Sequence, residues 1–187
     1  MGWVEMANRT LRTGDDGFTD VLGEGRVSKS DLRIETLGSI DEATSSLGVA
    51  RACCKNIETA ELIERIQHSL YRIMSEIAAT PQNTKKFRSV DAQEVQWLED
   101  TIEYYSEKRE PIHEFIIPGD TTFAAALDLA RVFVRRAERR FVELLSSGSS
   151  ANMEIMQYLN RLSTLCFELE LDAIHSSEKI KPTLAKK

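Results

Sequence analysis

Arg131-Val-Phe-Val-Arg135-Arg136-Ala-Glu138-Arg139-Arg140 puts five arginines into ten residues of an otherwise acidic chain. Its apolar residues decide how the run folds. Over the segment from about Thr122 to Ser146, Leu127, Ala130, Val134, Ala137, Phe141 and Leu144 or Leu145 recur at spacings of three and four, the period of an amphipathic helix. On such a helix Arg131, Arg135 and Glu138 share a face beside the apolar stripe, while Arg136 and Arg140 point to the opposite flank and solvent. So dense a cluster of cations calls for an anion. The plainer alternative is a solvated face laced by helix ion pairs, each worth about 0.2 to 0.5 kcal/mol.

The same period extends outward along the chain. Over residues 34–54 it runs through Leu37, Ile40, Ala43, Leu47 and Ala50, with Gly38 and Gly48 permitting close approach of a neighbour. Thr59 is placed as the N-cap of a second helix carrying Leu62, Ile63, Ile66, Leu70, Ile73, Met74 and Ile77, which Pro81 stops. Residues 82–89 are polar and loop-like. Asp91 with Glu94 makes a capping-box start for a third helix through Val95, Leu98, Ile102 and Tyr105. Pro111, Pro118 and Gly119 then interrupt the pattern around the short apolar run Phe115-Ile116-Ile117. A fifth helix spans about residues 152–174 through Ile155, Leu159, Leu162, Cys166 and Leu169. The fold class is all-α: an antiparallel five-helix bundle, one domain over residues 1–187, with an irregular Gly-rich N-terminal leader (1–32) and a loose tail (176–187).

A net charge of −6 argues against nucleic acid or an anionic membrane as main partner. No apolar run approaches the ~18 residues that span a bilayer, and the start lacks the pattern of a secretory signal. A cytoplasmic protein is expected. Cys53, Cys54 and Cys166 are odd in number and are read as reduced, structural residues, and His68, His113 and His175 lie too far apart for a zinc site. A di-iron carboxylate bundle needs two Glu-x-x-His sets; only Glu110-Pro-Ile-His113 fits, with a proline inside a loop. Residues 23–30 approach a P-loop pattern, but an all-helical context rejects that fold. What remains is an inventory: Arg12-Thr13-Gly14-Asp15-Asp16-Gly17-Phe18-Thr19, then Arg26 and Lys29, offers backbone N–H donors, hydroxyls, cations and a carboxylate suited to a polyphosphate with Mg²⁺. Asn160 borders the fifth stripe, where an amide must bridge helices or meet a ligand. Asp41 borders the first, with Arg131 as its natural partner.

Taken together, Arg12 to Thr19, Gly25-Arg-Val-Ser-Lys29, Gly38-Ser-Ile-Asp41-Glu42, Phe115-Ile-Ile-Pro-Gly119, Arg131 with Arg135-Arg-Ala-Glu-Arg139, and Tyr158-Leu-Asn-Arg-Leu-Ser163 stand in an order and spacing that resemble the PduO-type ATP:cob(I)alamin adenosyltransferases over about residues 12–170. The resemblance implies a homotrimeric five-helix bundle with sites between subunits. It implies that Arg12, Thr13, Gly14, Asp15, Gly17, Thr19, Arg26 and Lys29 wrap the ATP triphosphate and its Mg²⁺. Arg135 would hold phosphate with Glu138 nearby, and Asn160 would contact the nucleoside. Arg131 would pair with Asp41 across the subunit boundary, and Phe115 would pack under the corrin and exclude cobalt's lower axial ligand.

The implied reaction moves the 5′-deoxyadenosyl group of ATP onto cob(I)alamin and releases triphosphate, with a cobalamin reductase upstream and an adenosylcobalamin-dependent client downstream. Because Co(I) is itself the nucleophile, no serine, cysteine or general base is required. The alternative is an ATP- and cobalamin-binding delivery protein or nucleotide sensor with weak or no catalysis. Three positions depart from the family's usual residues: Leu11 for threonine, Thr44 for asparagine and Asp120 for glycine.

Overall fold

A computed structural model describes residues 14–23, 25–80, 82–112, 114–148, 152–177 and 181–186. Among them, a short hairpin of β1 (Phe18–Asp20) and β2 (Arg26–Ser28) precedes five helices: α1 (Leu32–Cys53), α2 (Ile57–Ala78), α3 (Ala92–Ser106), α4 (Thr122–Ser146) and α5 (Met153–His175). A single 3₁₀ turn, Thr84–Phe87, interrupts the connection between α2 and α3.

Each helix begins where a short polar side chain satisfies first-turn N–H groups. Asp31 accepts from Arg33 N, Asn56 from Thr59 N, Asp91 from Gln93 N and Glu94 N, Thr121 from Ala124 N, and Asn152 from Glu154 N. One expectation is corrected. Thr59 is the residue whose N–H is capped, and Asn56 is the cap. Asp120, which at the start of α4 could cap the helix or alter the loop before it, does not cap it: Thr121, one residue later, reaches Ala124 N at 3.0 Å.

The helices pack in the order α2, α1, α4, α5, α3. On α4 Leu127, Ala130, Val134, Ala137, Phe141 and Leu144 are buried as the periodicity requires, with Ala124 and Ala126 buried before them. They face Ile40, Ala43, Leu47 and Ala50 of α1 and Leu159, Leu162, Cys166 and Leu169 of α5 in one continuous core. Gly48 does serve close packing, since a Cβ there would stand 3.3 Å from Gln67 Nε2 of α2; Gly38, by contrast, faces open space. Side chains join α2 to α3: the Arg65 guanidinium lies 3.6 Å from the Trp97 ring centroid, and Arg72 pairs with Glu94 at 3.2 Å. At one end of the bundle the buried Glu76 accepts from Ser89 N (2.7 Å) and Ser89 Oγ (2.5 Å), and Asn152 donates to Val90 O at 2.9 Å. These bonds fasten the last turn of α2 and the start of α5 to the segment between them.

Both ends of the chain depart from expectation. The leader is not wholly irregular, because β1 and β2 pair antiparallel with Thr19 opposite Val27. Nor is the tail loose throughout: residues 181–186 return to the loop before α4, where Ile116 pairs with Leu184. Cys166 is buried while Cys53 and Cys54 are only half-buried, and all three are free. No helix among the described residues is long and apolar enough to cross a membrane.

Candidate active site

The register of α4 sorts its arginines. Arg131 pairs with Asp128, one turn earlier, with Nη2 2.6 Å and Nε 2.8 Å from the same carboxylate oxygen. Arg136 bridges to Glu42 of α1 and stacks on Phe133, 4.8 Å from its ring centroid, so it ties two helices while its side chain still meets solvent. Arg140 makes an ordinary helix pair with Glu143 at 2.7 Å. Among the described residues Arg135 and Arg139 have no ion-pair partner, and both are exposed.

A cavity of about 520 Å³ opens between α4, α5 and the loop before α4. Arg131, Arg135 and Asp128 form its polar wall; Phe115, Ile116 and Pro118 line the loop side, and Ser163, Thr164 and Phe167 the α5 side. Arg135 also lines an adjoining cleft of about 340 Å³ with Glu138, Arg139, Val142 and Asn160. There Asn160 Nδ2 donates to Glu138 Oε1 at 2.9 Å, Arg161 donates to Asn160 Oδ1 at 2.9 Å, and Arg161 Nε donates to Glu99 Oε1 of α3 at 2.8 Å. Asn160 therefore bridges helices. Phe115 is 86% exposed, an apolar ring held at a cavity edge with little packing of its own.

Below this wall lies Glu170, fully buried with neither carboxylate oxygen hydrogen-bonded. Burial pushes its carboxyl up to about 7, the negative charge of Asp128 pushes the same way, and Arg131 pulls against both. Cys166, one turn before it, is so buried that its thiol is pushed up to about 12 and stays protonated at neutral pH.

The leader presents a second group of candidates. Arg26 donates from both terminal nitrogens to Asp16, at 2.7 and 3.0 Å, and from Nη2 to Phe18 O at 3.0 Å. That bidentate guanidinium holds the exposed Asp16 carboxyl down to about 2 and closes the hairpin. Gly17 N donates to Gly14 O and Lys29 N to Gly17 O, at 3.1 and 2.9 Å. Gly14 has φ +106°, and a Cβ there would stand 3.1 Å from Lys29 Nζ, so the lysine lies across bare backbone. Asp15 is exposed and Thr19 is half-buried in β1. Arg12 and Thr13, like Leu11 and His113, fall outside the described residues. Among the described residues no hydrogen bond or ion pair joins this group to Arg135, Glu138 or Asn160 within the chain. Asp41 is exposed on α1, and within the chain Arg131 is held by Asp128 instead of Asp41.

A family model described as cobalamin adenosyltransferase matches residues 9–173. The chain belongs to the cobalamin adenosyltransferase family. It is 36% identical over 159 residues to the corrinoid adenosyltransferase PduO of Salmonella typhimurium, covering 84% of this chain and 47% of that protein. It is 37% identical over 161 residues to the corrinoid adenosyltransferase of Bacillus subtilis, covering 83% and 81%. The chain thus spans about half the length of the PduO relatives it matches in S. typhimurium and Citrobacter freundii. Two solved structures of variant PduO-type ATP:corrinoid adenosyltransferases from Lactobacillus reuteri share the fold. One, with a phenylalanine replaced by alanine and complexed with cobalamin and ATP, has a TM-score of 0.87 at 28% identity, covering 94% of this chain and 98% of that one. The other, with an arginine replaced by lysine and complexed with ATP, has a TM-score of 0.83 at 30% identity, covering 92% and 97%.

For a member of the cobalamin adenosyltransferase family, the structure adds residues that sequence reasoning passed over. Asp128 carries a visible signal, a carboxylate three residues before Arg131. Asp16, already within the leader inventory, gains its role as the partner of Arg26, ten residues on. Glu170 carries no such signal: only the fold shows that a glutamate four residues after Cys166 points inward. The departure at Thr44 is locally satisfied, its hydroxyl donating to Ile40 O at 3.0 Å.

Proposed function

We propose that this chain transfers the 5′-deoxyadenosyl group of ATP to the cobalt of cob(I)alamin and releases triphosphate. The observation that carries the reading is the convergence, in one cavity, of Arg131 and Arg135 with the exposed ring of Phe115. One wall suits an anionic leaving group, the other a large apolar macrocycle. The Co(I) electron pair forms the Co–C5′ bond as the C5′–O5′ bond breaks, and the departing triphosphate takes the electrons of that bond. The protein's work is to align cobalt with C5′ and to stabilise charge developing on triphosphate oxygen.

Arg135 is the natural donor to that charge, since it is unpaired among the described residues and opens onto both cavities. Arg131, held by Asp128, presents its remaining donors from a fixed position. Asn160 and Glu138, locked together, border the adjoining cleft where the nucleoside would sit. Phe115 would press on the lower face of the corrin and disfavour an axial ligand there. The leader residues Gly14, Asp15, Gly17, Thr19, Arg26 and Lys29, with Arg12 and Thr13, would fold over the triphosphate.

Mg²⁺ would be carried on phosphate oxygens with at most one or two carboxylates. Asp15, exposed at the leader turn, is the candidate carboxylate, and the ion would supply charge neutralisation of the triphosphate. On the family resemblance, the complete site would lie between neighbouring copies in a homotrimer, with Asp41 facing Arg131 of a neighbouring copy. The same reading places the chain in the cytoplasm, between a reductase that supplies Co(I) and a client that uses adenosylcobalamin.

The test is anaerobic: purified chain, MgATP and chemically reduced cob(I)alamin, following loss of the Co(I) absorbance and growth of adenosylcobalamin. ATP-dependent conversion that disappears in Arg135→Ala supports the assignment. Absence of conversion by folded, ATP-binding wild-type chain overturns it.

A further inference from the structure

The apolar wall of the cavity is held by the far end of the chain. Ile117 N donates to Thr183 O at 2.7 Å and Ala185 N to Phe115 O at 2.8 Å, so residues 183–185 form an antiparallel strand beside 115–117 with Ile116 opposite Leu184. Among the described residues these are the bonds that the backbone of 114–119 makes outside its own turn. The pairing is locked at one end by a carboxylate. Asp120 Oδ2 accepts from Thr183 N at 2.9 Å and Oδ1 from Thr183 Oγ1 at 2.6 Å. Both bonds are charge-assisted, and they grip main chain and side chain of one residue. Phe115, 86% exposed, has too few neighbours to fix its own ring, so its backbone decides where the ring stands.

We propose that Asp120 and Thr183 are positioning residues of the corrinoid site: their clasp pins the tail strand, and the tail strand holds Phe115 in place as the wall against the macrocycle. The proposal rests on the function given above and deepens it. It also explains Asp120, a departure from the family's usual glycine, as a side-chain anchor that glycine cannot supply. A segment hydrogen-bonded only through main chain would open more readily, since segments with few contacts open at the lowest cost.

The experiment compares wild type, Asp120→Ala, Thr183→Ala and the conservative Thr183→Ser. Three readouts are taken: KM for cob(I)alamin against KM for ATP, the absorbance and paramagnetic spectra of cob(II)alamin bound with ATP, and amide hydrogen exchange over 115–117. The alanine variants are expected to raise KM for the corrinoid about tenfold while leaving KM for ATP unchanged, as loss of charge-assisted bonds on one wall predicts. They should also lose the signature of cob(II)alamin without its lower ligand and exchange faster at 115–117, with α4 still protected; Thr183→Ser should match wild type in all three. Unchanged exchange in Asp120→Ala overturns the clasp itself. Faster exchange with unaltered corrinoid KM and spectrum overturns the positioning role. Wild-type chain without turnover overturns the functional reading and the positioning role with it, while the exchange data still report whether the clasp exists.

Discussion

Arg135 and Arg139 stand one turn apart on α4, both exposed and both without an ion pair among the described residues, yet only Arg135 opens onto both cavities. Arg135→Ala is therefore expected to lower kcat by about 10² to 10³, the usual effect of removing one preorganised donor, while the melting temperature stays near that of wild type. Anaerobic turnover and a thermal melt check the two halves. Glu170 makes a prediction about pH. Its folded carboxyl titrates near 7 and its unfolded value is near 4.5, so between those values the native chain holds a proton that the unfolded chain has lost. Stability contributed by this group is complete below about 4.5, falls as pH rises through the window and is lost above 7. In Glu170→Gln the fall is absent. The melting temperature of the variant should gain on wild type by a few degrees across the window and then run parallel to it, as calorimetry at stepped pH will show.

At the scale of the element, α4 was legible because one period of about 3.6 runs unbroken from Leu127 to Leu144, about five turns, and its apolar residues are buried. Arg131 and Arg135 could be named because the arginine cluster marks them, whereas Phe115 was named only through the resemblance to the family. The hairpin could not be read, since β1 and β2 have three residues each, too few for alternation to show. The tail strand was hidden for a different reason: Thr183 and Asp120 are far apart in sequence, and no local pattern encodes such a pairing. The cap of α2 was misplaced by three residues because Asn56 and Thr59 are both good caps and only geometry separates them. Asn56→Ala should cost about 1 kcal/mol of stability, the typical effect of losing a cap acceptor, as a denaturant titration will show. In the hairpin, Gly14→Ala would bring a methyl group against Lys29 Nζ in a backbone conformation that L residues avoid. It is expected to raise KM for ATP while sparing the melt, because the hairpin lies outside the core.

For the whole molecule, the decisive fact is that nucleotide-binding candidates lie in two groups that one chain does not join among the described residues. If neighbouring copies complete the site, Lys29→Ala and Arg135→Ala chains damage opposite halves. Co-expressed, they should recover turnover that neither shows alone, with about a quarter of the shared sites intact by random assortment. Turnover no better than the sum of the two variants would place the complete site within one chain. The seam between α2 and α3 has an optical consequence. Trp97, one of two tryptophans in the sequence, lies beneath the guanidinium of Arg65. In a Trp3→Phe background its emission becomes a single-residue gauge of that seam, moving to longer wavelength when the two helices part, and so giving this protein a built-in fluorophore for following its unfolding in real time.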